Sequence, residues 1–370
     1  MIPALGATSS PAGTAFAVRA PRAAAVWLCL FDGEEERRLA MTRQGECWGA
    51  EVSDAGPGCR YGYRADGEWA PERGRWFDSA KLLVDPYAVE LDRRFVQDPR
   101  LGIYGIDTAE IVPRAVIQPS LPDCVRRPPR FTRGGLIYEL NVRGFTMLHP
   151  EVPEAIRGTV AALAHPAVIA HLTKLHVTAV ELMPIVAWID ERHLPSLGLR
   201  NAWGYNPIAP MALDPGLCPG GITELRDTVA SLHEAGIGVI LDLVLNHTGE
   251  SDIAGGVLSL RGLDNSAYAH EPDGGLINDT GCGNTLNFAD SAVRDLALAT
   301  LRHFVRHCGV DGFRFDLATI MARGPAFDAQ APIFAEIAAD PWLADRVMIA
   351  EPWDVGPGGY QLGNFPPPWL

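Results

Sequence analysis

Past residue 134, apolar runs alternate with amphipathic stretches. Leu136–Phe145, Val177–Pro184, Ile237–Asn246, Val310–Ala318 and Arg346–Ala350 are expected to be strands. Val168, Leu172 and Leu175 share one face of a helix opened by Pro166, and Ile222, Leu225, Val229 and Leu232 repeat at helical spacing until Gly236. Ser291–Cys308 predicts a helix closed by Gly309, and another is expected near Ala331–Ala339. Apolar strands separated by amphipathic helices predict an α/β unit, a parallel sheet covered by helices. Its polar residues cluster at the C-terminal strand ends, where both β/α barrels and open doubly wound sheets bind ligands. No G-x-G-x-x-G follows a strand and no P-loop is present.

Residues 1–112 have a different texture. Phe16-Ala17-Val18, Ala25–Phe31, Trp48–Val52 and Tyr61–Arg64 are short strand-like runs between Gly, Pro and Asp clusters, which predicts a β-sandwich. Trp27, Trp48, Tyr61, Tyr63, Trp69 and Trp76 suit either its core or a sugar-stacking platform. Residues 113–133 carry five prolines, five arginines and one acid, an extended connector ahead of an α/β unit over 134–370.

The formal net charge of −14 argues against nucleic acid or an anionic membrane surface as the main partner. Seven scattered cysteines without a C-x-x-C suggest neither a disulfide framework nor a zinc site, and fit a cytoplasmic protein with reduced thiols. The longest apolar run, Ala23–Phe31, is nine residues, too short for a membrane helix. The N-terminus has no basic segment followed by an apolar run, so a secretory leader is not expected.

The candidate chemistry lies in three strand ends. Alternation along Val310–Ala318 points Arg314 and Asp316 to one face, which suits Asp316 to an anionic role or to a structural ion pair. Glu351 is bracketed by Ala350, Pro352 and Trp353 with no cation beside it in sequence, a setting that raises a carboxyl pKa and suits a proton donor. Asp242 interrupts an apolar run and needs a buried partner, for which Arg314 on the next strand is the candidate. Two carboxyls with separated pKa values can break a glycosidic bond, and a separation of about 5–5.5 Å would make the reaction retaining.

Asp242-Leu-Val-Leu-Asn246-His247-Thr248, Gly312-Phe-Arg314-Phe-Asp316-Leu-Ala and Ala350-Glu351-Pro-Trp353-Asp354 resemble three of the four short conserved regions of the α-amylase family of glycoside hydrolases. The likeness is closest to the bacterial glycogen debranching, isoamylase-like group. Tyr61-Gly-Tyr-Arg, Lys81–Tyr87, Ala202-Trp-Gly-Tyr-Asn206, Asp279–Asn287 and Trp353–Tyr360 extend it over nearly the whole chain. The resemblance implies the first five strands of a (β/α)8 TIM barrel behind an isoamylase-type carbohydrate-binding sandwich. It implies Asp316 as nucleophile, Glu351 as general acid/base and Arg314 as the residue that orients and ionises Asp316. His247 and Tyr205 would contact the sugar, Trp353 would bind substrate, and Asp242 and Asn246 would support them. The implied reaction is hydrolysis of α-1,6 branches in glycogen or limit dextrin, which needs no cofactor; some relatives of this kind bind calcium, but no D-x-[DN]-x-[DN]-G loop assigns a metal ligand here. Alternatives are a branching-type transferase on the same scaffold and a non-catalytic glycan-binding protein.

The family's fourth region, a His-Asp pair near the seventh strand, has no counterpart before Leu370. The barrel is therefore expected to be incomplete, and the chain a truncated piece of one nearly twice as long, unstable and nearly inactive alone.

Overall fold

A computed structural model describes residues 4–370. Its first part is two antiparallel sheets. Strands β1 (Gly6–Ser10), β2 (Gly13–Arg19), β3 (Ala25–Asp32), β4 (Glu35–Ala40), β5 (Thr42–Gln44), β6 (Cys47–Val52) and β7 (Arg60–Asp66) are followed by a small hairpin, β8 (Trp69–Ala70) and β9 (Arg75–Trp76), and by β10 (Ala115–Val116). The sheet orders are β1-β2-β6-β5 and β10-β7-β3-β4. Because side chains alternate, Phe16, Val18, Val26, Leu28 and Leu30 face inward with Trp48, Tyr61 and Tyr63. The sandwich reaches past residue 112: Ala115 and Val116 pair with Tyr61 and Arg60. Its apolar cluster continues into Ile189, Ile208, Ala209, Val257 and Leu258, so it shares a core with loops of the second part.

That second part is built on a five-stranded sheet ordered β11 (Ile137–Leu140), β12 (Ala179–Leu182), β15 (Gly238–Leu243), β16 (Gly312–Phe315) and β17 (Val347–Ala350), parallel throughout. An antiparallel pair, β13 (Val186–Trp188) and β14 (Pro207–Leu213), lies between β12 and β15 in the chain. The helices are α1 (Val142–Thr146), α2 (Pro166–Lys174), α3 (Gly221–Glu234), α4 (Leu260–Asp264), α5 (Ser291–Cys308) and α6 (Pro332–Ala339). Gly309, at φ 73°, closes α5 by donating to Val305 O, as the sequence predicts.

The strands are shorter than their apolar runs. Leu136–Phe145 divides because Asn141 Oδ1 accepts the Gly144 N–H and caps α1. Asn246 and His247 fall beyond the end of β15 and Asp316 beyond β16, so the candidate residues sit on turns held by strand ends. The connector is tied to the opposite end of the sheet, where Asp311 Oδ1 accepts the Arg130 N–H at 2.6 Å. Phe365–Leu370 packs on β17: Leu370 exchanges backbone bonds with Met348 and Ala350, and Trp369 stacks on Phe315. Among the described residues, no helix is long and apolar enough to cross a membrane.

Lys81, one of only two lysines, explains how the sandwich holds its longest irregular loop. Its ammonium is fully buried and donates to Arg100 O, Ile103 O and Ile106 O at 2.9, 2.5 and 2.9 Å. Three rotatable donors meet three carbonyls, which the planar guanidinium fork of an arginine does not match. Lys81→Met is expected to destabilise the chain by about 3 kcal/mol in urea unfolding and to open the 98–107 loop to proteolysis. An unchanged urea midpoint would contradict this assignment.

Candidate active site

Strand register brings the candidate residues together. In the parallel ladder Asp242 lies opposite Arg314, and Arg314 opposite Ile349, so all three share one face. Two residues further along the same face come Asp316 and Glu351. The ladder carries on one step to fix them: Asp316 N donates to Leu243 O and Glu351 N to Phe315 O, both at 3.1 Å. The chain then turns sharply at Leu317, whose φ of 42° and ψ of 50° are left-handed, a conformation that costs a side-chain-bearing residue roughly 1–3 kcal/mol. That turn aims the Leu317 N–H at Glu351 Oε2, 2.7 Å away.

One guanidinium serves three carboxyl groups. Arg314 Nη1 lies 2.9 Å from both oxygens of Asp242 and 3.4 Å from Asp316 Oδ1, and its Nη2 lies 2.9 Å from Glu351 Oε1. The sequence neighbourhood of Glu351 predicts no cation, yet the fold supplies Arg314 from the adjacent strand. Burial still dominates and raises the Glu351 carboxyl above its ordinary range. The Leu317 N–H and Arg314 pull it down, while the charge of Asp316 and a hydrogen bond with it push it up. Asp242 is almost fully buried, which pushes its carboxyl up against the pull of Arg314 and Tyr205.

Tyr205 reaches the cluster because Gly204 turns the chain at φ 85°, where a Cβ would meet Pro184 O at 2.9 Å. Asn201 Oδ1 fixes the same loop by accepting the N–H groups of Trp203 and Gly204. The Tyr205 hydroxyl donates to Asp242 Oδ2 at 2.5 Å, and its ring faces the Arg314 guanidinium, 5.9 Å from centre to carbon. Asn246 Nδ2 donates to Asp316 Oδ2 at 2.8 Å and Asp316 O at 2.7 Å, which fixes both the turn and the carboxylate.

Two expectations change. His247 does not present a free nitrogen to a sugar: it is 1% exposed, Nδ1 lies 2.5 Å from Asn246 Oδ1, and Nε2 lies 3.1 Å from Tyr205 O. Burial pushes its imidazole down to about 4, so at neutral pH it is an uncharged brace between the Asn246 and Tyr205 loops. Trp353 is not brought into the carboxyl cluster. It stands at the rim, 44% exposed, and next to it Asp354 is clamped by Arg323 at 2.6 Å.

The sequence reading missed Glu181 and Glu139. Their carboxylate oxygens and that of Asp242 all lie within 4.8 Å of one another. Glu181 interrupts the apolar strand Ala179–Leu182, the same signal that singles out Asp242. It also missed Glu250, whose buried carboxylate accepts the N–H groups of Leu258, Ser259 and Arg261 and the Tyr268 hydroxyl, and so shapes the loop after His247. Next to Tyr205 opens a polar cavity of about 490 Å³ lined also by Asp190, Glu191, Asn206 and Cys282. A carboxyl pair spanned by one arginine can deliver a proton and an anionic nucleophile to one bond.

Comparisons with known proteins agree with the motif resemblance. Residues 4–88 match carbohydrate-binding module 48, the isoamylase N-terminal domain. Relatives named glycogen debranching enzyme, from Cronobacter sakazakii and Yersinia enterocolitica, are each 46% identical over 98% of this chain and 57% of their own length. The chain thus spans a little over half the length of these curated relatives. The structure is similar to an Anoxybacillus sp. LM18-11 pullulanase complexed with maltotetraose, with a TM-score of 0.72 and 25% identity over 96% of this chain and 50% of that one. It also shares the fold of the Bacillus subtilis type I pullulanase complexed with maltose, with a TM-score of 0.73 and 22% identity over 96% of this chain and 48% of that one.

The ionic coupling of the two carboxyls is open to a direct check. Asp316→Asn removes a negative neighbour from Glu351, so the Glu351 midpoint, followed by carbon-13 carboxyl NMR, is expected to fall toward the ordinary glutamate range. A midpoint that stays put or rises would show that Asp316 does not act on Glu351.

Proposed function

We propose that this chain supplies the nucleophile and the acid/base of a retaining glycoside hydrolase that cleaves α-1,6 branch linkages in glycogen or limit dextrin. The observation that carries the reading is the Arg314 guanidinium reaching Asp316 at 3.4 Å and Glu351 at 2.9 Å. Two carboxyls held on one guanidinium support the closely spaced pair of a retaining enzyme over the wider pair that holds a water across about 6.5–9.5 Å. Asp316, oriented by Asn246 and Arg314, attacks the sugar carbon. Glu351, its hold on a proton strengthened by burial and by Asp316, donates that proton to the leaving oxygen and then takes one from water. Tyr205 offers a ring face to the sugar and Trp353 an exposed indole at the rim.

The same reading makes residues 1–112, together with the Ala115–Val116 strand, the glycan-binding sandwich, the rest of 113–133 the connector and 134–370 the first five strands of a (β/α)8 barrel. The relatives' further length supports that assignment, since the match covers 57% of it. Seven free cysteines support a reducing, cytoplasmic setting. Branched α-glucan is the proposed partner.

Roles and products can be separated in one series. On branched dextrin, Asp316→Ala is expected to lose at least about 10³-fold in rate and Glu351→Gln about 10²–10⁴-fold. With an α-glucosyl fluoride, whose leaving group needs no proton, Glu351→Gln recovers the bond-breaking step and Asp316→Ala does not. Linear oligosaccharides as products support hydrolysis, and new branches would indicate the transferase. Equal losses for both variants on the fluoride would overturn the division of roles.

A further inference from the structure

Glu181 is the middle of a row of acids behind Arg314. Parallel register sets Glu139 of β11 beside Glu181 of β12, and Glu181 beside Ile240 of β15, two residues before Asp242. The three carboxylates converge within 4.8 Å. Glu139 is exposed. Burial pushes the Asp242 carboxyl up to about 7, but two contacts from Arg314 and the Tyr205 hydroxyl favour its ionised form, and Glu181 has no such contacts. Glu181 is 9% exposed, and among the described residues no hydrogen bond or ion pair reaches its carboxyl, because the nearby guanidinium is taken by Asp242, Asp316 and Glu351. The one guanidinium is thus shared by three carboxyls, and the two behind them do without it. A carboxylate largely shielded from water, without a protein partner and close to other carboxyls is penalised when ionised, whereas a protonated one is tolerated.

We propose that Glu181 holds its proton below neutrality and acts there as a positioning residue: uncharged beside Asp242, it leaves Arg314 to hold Asp316 and Glu351 instead of drawing the guanidinium back along the sheet. Burial foremost, then Asp242, pushes the Glu181 carboxyl up to about 7, with Arg314 opposing and Glu139 adding to the shift. The sign of the linkage follows. The folded chain keeps a proton that the unfolded chain releases at the ordinary glutamate pKa. Stability carried by that proton is complete below the ordinary value and is lost as pH rises through about 7. The catalytic consequence rests on the debranching reading, but the protonation state does not.

The test is thermal unfolding of the 370-residue chain and of Glu181→Gln at about pH 5 and about pH 8.5, read without any substrate. The variant is expected to match the parent at the lower pH and to melt higher by about 3 °C or more at the upper one. The Glu181 carboxyl resonance in the parent, assigned by its loss in the variant, is expected to titrate near neutrality. A variant that is less stable than the parent at the upper pH, or a resonance that titrates in the ordinary glutamate range, overturns the proposal. If Glu181→Gln fails to fold at either pH, Glu181→Asp serves for the assignment and the parent's titration decides. Where debranching is measured, Glu181→Gln is expected to move the alkaline limb of the pH profile upward and to keep the rate on the acid side. A merely structural role would lower the rate at every pH.

Discussion

A single guanidinium organises one end of the parallel sheet. Arg314 is the cation within reach of Asp242, Asp316 and Glu351, and it stands on the strand between the other two. Ion pairs this close to burial offset the desolvation of their members only when geometry is good, and removing one partner typically costs about 3–5 kcal/mol. The position of each carboxylate is therefore conditional on the arginine, and the arginine on strand register. A slip of one residue in β15, β16 or β17 would turn one partner to the other face of the sheet.

The surrounding fold makes that register hard to lose. The buried residues of β15, β16 and β17 enter one apolar cluster with α3 and α5, so a shift in any strand would expose a row of large side chains. Loops finish the site. The left-handed Leu317 aims its N–H at Glu351, and Gly204 lets Tyr205 fold over Arg314. Buried His247 ties the Tyr205 and Asn246 loops together. The sandwich adds its own core residues to β13 and β14, next to the loop that carries Tyr205, so the two parts are coupled by packing as well as by sequence.

Much of the arrangement was legible in the sequence, for a physical reason. Strand alternation put Arg314 and Asp316 on one face, and the lone acid in an apolar run marked Asp242 as a residue with a buried partner. What the sequence does not carry is contact across strands. Glu351 has no charged neighbour in the chain and acquires Arg314 only from register. His247 has the composition of a sugar ligand, but the turn that buries it is set by Tyr205, far away in sequence. Glu181 was readable by the rule applied to Asp242 and was missed because its strand is short. Strand ends were overestimated because apolar residues such as Val244 and Leu245 are buried in turns as fully as in strands.

The central claim is that Asp316 attacks and Glu351 assists. A slow fluorinated α-glucosyl fluoride, incubated with the chain and followed by mass spectrometry of the digested protein, tests it most directly, because a retaining enzyme holds the sugar as a covalent ester. The account predicts a glycosyl adduct on the peptide that contains Asp316, absent from Asp316→Ala. An adduct on Glu351 or on any other carboxylate would contradict it, as would branch cleavage that persists in the Asp316→Ala chain.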